Sequence, residues 1–179
     1  NSFLAILQCQ AGDSTYCFNA QMYSKLLEPG HYCYEGVRRW FRHRGSSPVR
    51  LEEFRHLLMP IHQNKNHWVL VHINMERRRI RVYDSLLRRR GDAGKAALKV
   101  IMNNVALLLK DETGIGEWHC EICFSAGQQA EYWECGCFTL GNAACVLLDT
   151  NTIFTQANVA SARLFILHAV LGRSLAPPQ

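Results

Sequence analysis

The sequence predicts a single α+β domain, and three observations support this prediction. The chain of 179 residues is long enough to bury a substantial core. Hydrophobic residues make up 48% of the chain and charged residues 20%, which excludes a disordered polymer. Helical patterns precede a β-hairpin, and a helix, a strand and further helices follow it. We find no internal repeat and no long linker, so residues 1–179 are expected to form one domain, excised from a longer protein because the chain starts at Asn1.

Helices and strands are predicted from the spacing of apolar residues and from stop signals. Pro29-Gly30 and the Gly-Ser-Ser-Pro segment at 45–48 interrupt the first three helical patterns. The predicted helices are Phe18–Glu28, Glu35–His43, Arg50–Leu58, Ala93–Lys110, Gly136–Asp149 and Ala157–Leu171. The predicted strands are Trp68–Ile73, Arg79–Asp84 and Glu117–Phe124.

The first two strands predict an antiparallel hairpin whose register follows from apolar pairing. Pairing residues whose numbers sum to 151 places Val71 opposite Ile80 and leaves residues 74–77 as the turn. The same register places His67 directly opposite Asp84. Opposed residues lie roughly 4.5–5.5 Å apart, so this hairpin predicts a hydrogen-bonded histidine–carboxylate pair.

Cys135 is the candidate nucleophile beside that pair. It stands directly before a predicted helix, where the helix dipole and free backbone N–H groups stabilise a thiolate. The same N–H groups can bind an oxyanion, and the side-chain amide of Gln129 is a further donor. A histidine held by a carboxylate and close to a thiol is the arrangement used in nucleophilic catalysis. The sequence therefore predicts a catalytic set of Cys135, His67, Asp84 and Gln129.

A function of another class, a zinc-binding interaction module, is the main rival. Cys120 and Cys123 form a Cys-x2-Cys pair, Cys135 and Cys137 form a Cys-x-Cys pair, and four thiolates can hold a structural zinc ion. On a strand, however, Cys120 and Cys123 would lie on opposite faces. The zinc hypothesis also leaves the histidine–carboxylate pair unexplained, so we favour the enzyme and expect no metal or other cofactor.

Charge and composition restrict the partners of the protein. The net charge is +5, and arginines cluster around the hairpin at 77–81 and 88–90, as they do on phosphate-binding surfaces. No recognition helix or stacking motif accompanies them, so we interpret them as surface charge and consider a nucleic-acid partner unlikely. The longest apolar run, Ala143–Leu148, is far shorter than the ~20 residues that span a membrane.

The irregular spacing of the eight cysteines predicts free thiols in a reducing, intracellular compartment. The oligomeric state stays open.

Several segments resemble, in the same order, the ubiquitin-like-protein-specific cysteine proteases, the family of the SUMO (sentrin)-specific proteases. Residues 34–40, Tyr-Glu-Gly-Val-Arg-Arg-Trp, resemble the family's Tyr-x-Gly-Val-x-Arg-Trp segment. The other matching segments are Pro60-Ile61-His62 followed by His67-Trp68, then Tyr83-Asp84-Ser85, and Gln129 with Cys135-Gly136, which is similar to the family's Gln-x5-Cys-Gly loop.

This resemblance implies a papain-like cysteine protease fold that acts without a cofactor. It implies cleavage after the C-terminal diglycine of a ubiquitin-like modifier, in the nucleus or the cytoplasm, with SUMO or another such modifier and its conjugates as partners. The implied roles are Cys135 as nucleophile, His67 as general base and acid, Asp84 as the residue that orients the imidazole, Gln129 as oxyanion donor, and Trp68, Phe18 and Gly136 as substrate contacts.

One segment departs from the family pattern. The family's Trp-Leu-Asn-Asp is here Cys17-Phe18-Asn19-Ala20, so both the Trp that covers the diglycine and the Asp that contacts the modifier are absent. Phe18 and Tyr16 are the nearest aromatic residues that could close the channel instead. A deubiquitinase, or another diverged protease of the same fold, is therefore the alternative within this family.

Overall fold

The computed structural model describes residues 2–28, 30–41, 48–148 and 153–172. It shows a mixed five-stranded sheet with helices on both faces, which confirms the predicted α+β class. The strands, in their order across the sheet, are β1 (Thr15–Cys17), β2 (His56–Gln63), β3 (His67–Asn74), β4 (Arg79–Tyr83) and β5 (His119–Ile122). The helices are α1 (Ser2–Ala11), α2 (Met22–Leu26), α3 (Leu87–Thr113), α4 (Cys135–Leu147) and α5 (Val159–Gly172).

Two apolar clusters hold the sheet between its helices. The first cluster joins one face of the sheet to α2 and α3 and includes Phe18, Leu57 and Val71. The second joins the other face to α1, α4 and α5 and includes Leu58 and Leu70. Neighbouring residues of β2 thus fall into different clusters, as the alternation of side chains along a strand requires.

Strand β2 was missed because its sequence is apolar without alternation. The predicted helix Arg50–Leu58 is wrong: a 3-10 turn covers Leu51–Glu53, and the chain then enters β2 at His56. Residues Leu57–Ile61 are buried on both faces of the sheet. A continuous apolar run of this length fits a buried strand and a buried helix equally well.

The other predicted elements differ mainly in length. The predicted helix Phe18–Glu28 is confined to α2, and Glu35–His43 becomes two 3-10 turns, Tyr34–Gly36 and Arg38–Phe41, with His43 outside the described residues. Helices α3, α4 and α5 and strands β3, β4 and β5 are present where predicted, although Asp149 also lies outside the described residues. Helix α1 was not predicted. In the described parts of the chain, no helix is long and apolar enough to cross a membrane.

The predicted hairpin register is wrong by two residues. Val71 pairs with Val82 rather than Ile80, and the turn is Met75–Arg78, one residue later than predicted. Arg78 adopts a φ of 47°, and its N–H donates to the carbonyl of Met75, which closes the turn at this position. Both registers pair apolar residues with apolar residues, so the pattern could not distinguish them. A shift of two keeps every side chain on its predicted face.

Candidate active site

His67 and Asp84 meet at one edge of the sheet, where β3 begins and β4 has just ended. The even register shift leaves both side chains on one face, and His67 Nε2 lies 2.7 Å from Asp84 Oδ1. Both residues are buried. The structure therefore forms the predicted pair, although by a diagonal contact rather than between directly opposed residues.

The protonation of this pair follows from its contacts. Burial alone would raise the pKa of Asp84, but the hydrogen bond from His67, the N–H of Leu86 and the charge of Arg90 lower the pKa overall. The carboxylate is thus ionised at neutral pH and can only accept hydrogen bonds, so His67 Nε2 carries the proton. His67 Nδ1 is buried without a hydrogen-bond partner in the described chain. It is the nitrogen left to accept a proton from a thiol.

Cys135 is the first residue of α4 and carries a buried, free thiol. A Cβ atom added to the next residue, Gly136, would lie 4.0 Å from Cδ1 of Trp68, the neighbour of His67. The start of α4 therefore packs against the start of β3. This placement brings the thiol close to β3, the strand that carries His67. The thiol also lies at the positive end of the dipole of α4.

The neighbouring thiols are less suited to act as nucleophiles. Burial raises the pKa of Cys137, with an opposing effect of Arg163 and a further increase from Glu134. Burial raises the pKa of Cys17 to about 12. Neither thiol stands at the first residue of a helix.

Gln129 is held rigidly by the segment that follows Asp84. Its N–H donates to the carbonyl of Ser85 at 2.9 Å, and its Oε1 accepts a hydrogen bond from the Ser85 hydroxyl at 2.5 Å. Its Nε2 donates to the carbonyl of Glu131 at 2.6 Å. An amide nitrogen carries two N–H groups, so one remains to act as an oxyanion donor. Ser85 sets this orientation. It belongs to the family-like segment Tyr83-Asp84-Ser85, but the sequence predicted no role for it.

Further bonds tie the loop before Cys135 to the end of β4. Gln128 Nε2 donates to the carbonyl of Asp84 at 3.0 Å, and Gln128 Oε1 accepts from the N–H of Arg88 at 2.9 Å. The nucleophile loop and the histidine–aspartate pair are thereby fixed relative to each other.

Glu134, the residue directly before the nucleophile, supports the structure of the site. The sequence did not predict this role of Glu134. Its buried carboxylate accepts the N–H of Glu131 at 3.1 Å and Nε2 of Gln156 at 3.1 Å. Arg163 Nη2 lies 3.8 Å from the same carboxylate. These contacts fix the turn that leads into α4. Two of the three partners lie more than 20 residues away in the sequence, so no local pattern could have revealed them.

An apolar cavity of about 150 Å³ opens beside Trp68 and the start of α4. The Trp68 ring stacks on His62, with ring centroids 4.3 Å apart and an interplanar angle of 11°. The lining residues are Leu4, Ala20, Pro60, Trp68, Gly136, Thr139 and Leu140. Trp68 and Gly136 thus lie where a substrate tail could reach the thiol.

Phe18, in contrast, is not placed at this cavity. It is 1% exposed and packs edge-on against Tyr16 and Phe41 within the first cluster. The alternation of side chains explains this: Cys17 points to the second cluster, under α1, and Phe18 points to the opposite face. The assignment of Phe18, or of Tyr16, as a cover of the channel is therefore not supported. Leu4 of α1 lines the cavity instead.

The zinc alternative finds no support in the structure. Among the residues that the structure describes, no group of three or more His, Cys, Asp or Glu side chains could hold a metal ion. Cys120 is exposed on β5, whereas Cys135 is buried at the start of α4.

A thiol at the start of a helix that packs against the strand of a buried histidine–aspartate pair is the arrangement expected of a cysteine peptidase. Comparison with protein-family models agrees with this class: residues 9–168 match the Ulp1 protease family, C-terminal catalytic domain. The chain belongs to this family.

Individual relatives show the same similarity. The chain is 27% identical over 164 residues to Ubiquitin-like-specific protease 1 of Saccharomyces cerevisiae, covering 90% of this chain and 25% of that protein. It is 26% identical over 168 residues to human Sentrin-specific protease 2, covering 93% of this chain and 27% of that protein. The solved Ulp1 protease domain in complex with Smt3, the yeast ortholog of SUMO, matches with a TM-score of 0.81 and 25% identity over 97% of this chain and 75% of that one. The chain thus spans about a quarter of the length of these curated relatives.

Proposed function

We propose that this chain is the catalytic domain of a SUMO-directed cysteine protease that cleaves after the C-terminal diglycine of the modifier. The observation that carries the proposal is the placement of Cys135 at the start of α4, against the strand of the buried His67–Asp84 pair. Membership of the Ulp1 family and the similarity to a domain solved with Smt3 support SUMO as the substrate. SUMO and its conjugates are therefore the proposed partners.

The proposed reaction uses the contacts described above. His67 Nδ1 takes the proton of the Cys135 thiol, and the thiolate attacks the carbonyl carbon of the second glycine of the diglycine. The backbone N–H groups at the start of α4 and Gln129 Nε2 stabilise the oxyanion. His67 then gives its proton to the leaving amine, which yields a thioester. Water, deprotonated by His67, hydrolyses the thioester and regenerates the thiol. Asp84 keeps the imidazole in the tautomer that these steps need.

The test is a panel of SUMO, ubiquitin and NEDD8 probes that carry a C-terminal thiol-reactive group. We expect the SUMO probe to label Cys135, as a mass shift that is absent in Cys135→Ala. Labelling by ubiquitin alone would replace the proposal with the deubiquitinase alternative, and labelling by none of the three would reject a modifier protease altogether.

The proposed location is a reducing compartment, the nucleus or the cytoplasm. All eight cysteines lie in described segments, and none of them forms a disulfide bond. A thiolate nucleophile also requires that Cys135 stay reduced.

Leu4 is proposed to shape the channel that receives the diglycine tail. We expect Leu4→Ala to lower kcat/KM on a SUMO substrate about 5–10-fold, because it removes roughly 1–1.5 kcal/mol of apolar contact. The matched control is Leu7→Ala, since Leu7 is on the same helix and in the same cluster but does not line the cavity. Both variants lose stability, so rates are measured well below the melting temperature. An equal fall of kcat/KM in both variants would contradict a role of Leu4 in the channel.

A further inference from the structure

Arg90 makes a direct contact with the aspartate of the proposed triad. Its Nη1 donates to Asp84 Oδ2 at 2.7 Å, whereas Oδ1 of the same carboxylate accepts His67 Nε2 at 2.7 Å and the N–H of Leu86 at 2.8 Å. Asp84 is 1% exposed, and the side chain of Arg90 is 23% exposed. Both oxygens of the carboxylate are therefore occupied, and the outer one is paired with a positive charge.

Two glycines, Gly91 and Gly94, follow Arg90 in α3. Gly91 interrupts α3 with a φ of 55° and a ψ of −138°, a conformation that glycine adopts at little cost. The helical turn before this kink carries Arg90 and begins beside Asp84, whose carbonyl accepts the N–H of Leu87 at 3.4 Å. A Cβ atom added to Gly94 would lie 2.6 Å from Cβ of Arg90 and 3.6 Å from its Nε. The absence of a side chain at Gly94 thus leaves room for Arg90.

Only two charged or titratable side chains interact with Asp84 in the described chain: His67 from β3 and Arg90 from α3. They bind different oxygens, so Arg90 prevents rotation of the carboxylate about its last bond. Its positive charge also lowers the pKa of the Asp84 carboxyl, which favours the ionised carboxylate.

We propose that Arg90 is a positioning residue of the active site, which fixes the orientation of Asp84 and, through it, that of the His67 imidazole. The inference rests on the triad proposed above. Since Arg90 acts on the aspartate and not on the substrate, its removal lowers kcat and leaves KM nearly unchanged.

The test compares Arg90→Met, Arg90→Lys and Lys99→Met. Lys99 is exposed on the same helix, so its substitution changes the net charge equally without reaching Asp84. For Arg90→Met we expect kcat on a SUMO substrate to fall on the order of tenfold, since small misplacements of catalytic groups slow reactions strongly. KM should stay close to the wild-type value, because Arg90 does not touch the substrate. Arg90→Lys should restore most of kcat, and Lys99→Met should match the wild type.

A second measurement separates this inference from the proposed function. The rate at which iodoacetamide alkylates Cys135 is followed against pH by peptide mass spectrometry in a Cys137→Ala background, and needs no modifier substrate. If the wild type lacks enhanced alkylation below the pKa of an ordinary thiol, the proposed triad fails irrespective of Arg90. If the wild type shows it and Arg90→Met leaves the profile unchanged, the role of Arg90 is overturned, even if the variant melts earlier.

Discussion

Cys135→Ala will abolish proteolysis, whereas Cys137→Ala will retain most of it. Only Cys135 stands at the first residue of α4, where the helix dipole and free N–H groups favour a thiolate. Cys137 lies one half-turn further on; its Sγ is 3.8 Å from the carbonyl of Val159, and burial raises its pKa. Loss of a nucleophile costs on the order of 10⁶ in kcat in a comparable hydrolase triad.

This expectation is measured by turnover of a SUMO substrate with a fluorescent C-terminal amide. The two variants are matched, because each removes one sulfur from neighbouring positions of the same helix. Melting temperatures equal to that of the wild type would show that both variants remain folded. If Cys137→Ala were inactive and Cys135→Ala active, the assignment of the whole nucleophile loop would be wrong.

Asp84→Asn will leave the fold intact and reduce turnover by a factor on the order of 10³–10⁴, as in other triads. The carboxylate accepts from Arg90 at Oδ2 and from His67 and the N–H of Leu86 at Oδ1, whereas an amide has one acceptor oxygen. If the amide oxygen faces Arg90, the NH2 faces His67, the ring proton moves to Nδ1, and Nδ1 can no longer take a proton from the thiol. If the amide oxygen faces His67 and Leu86, the NH2 opposes the Arg90 guanidinium, and the imidazolium loses the negative charge that stabilises it.

The control for this variant is Asp92→Asn, which makes the same charge change on α3. Asp92 has an exposed carboxylate paired with Lys95 and should have no effect on turnover. Values of kcat are compared at the pH optimum, and melting temperatures check the fold. A folded Asp84→Asn enzyme with more than a tenth of wild-type turnover would contradict the proposed role of Asp84.

The longest helices were predictable from the sequence, whereas the short elements were predicted unevenly. Helices α3, α4 and α5 each span three or more turns and, like the short strands β3, β4 and β5, are present where predicted. Strand β2 is apolar at successive positions, and its first residues, 56–58, were assigned to a helix. Helix α2 has only five residues, because the apolar residues around it are buried by loops and 3-10 turns rather than by a longer helix.

The sequence by itself determined which groups the chain carries for chemistry. The spacing of His67, Asp84, Gln129 and Cys135 predicted a thiol at the start of a helix and a histidine–carboxylate pair, and it indicated the family. These features depend on residues close in sequence, or on a strand alternation that survives a register shift of two.

Only the tertiary structure decided the hairpin register, the direction of Phe18 and the neighbours of Asp84 and Glu134. His67 reaches Asp84 only because β3 and β4 pair, and Gln156 reaches Glu134 only because the chain returns to the start of α4. Contacts of this kind form between segments that packing brings together. A pattern of neighbouring residues contains no information about them, since many chain paths satisfy the same local pattern.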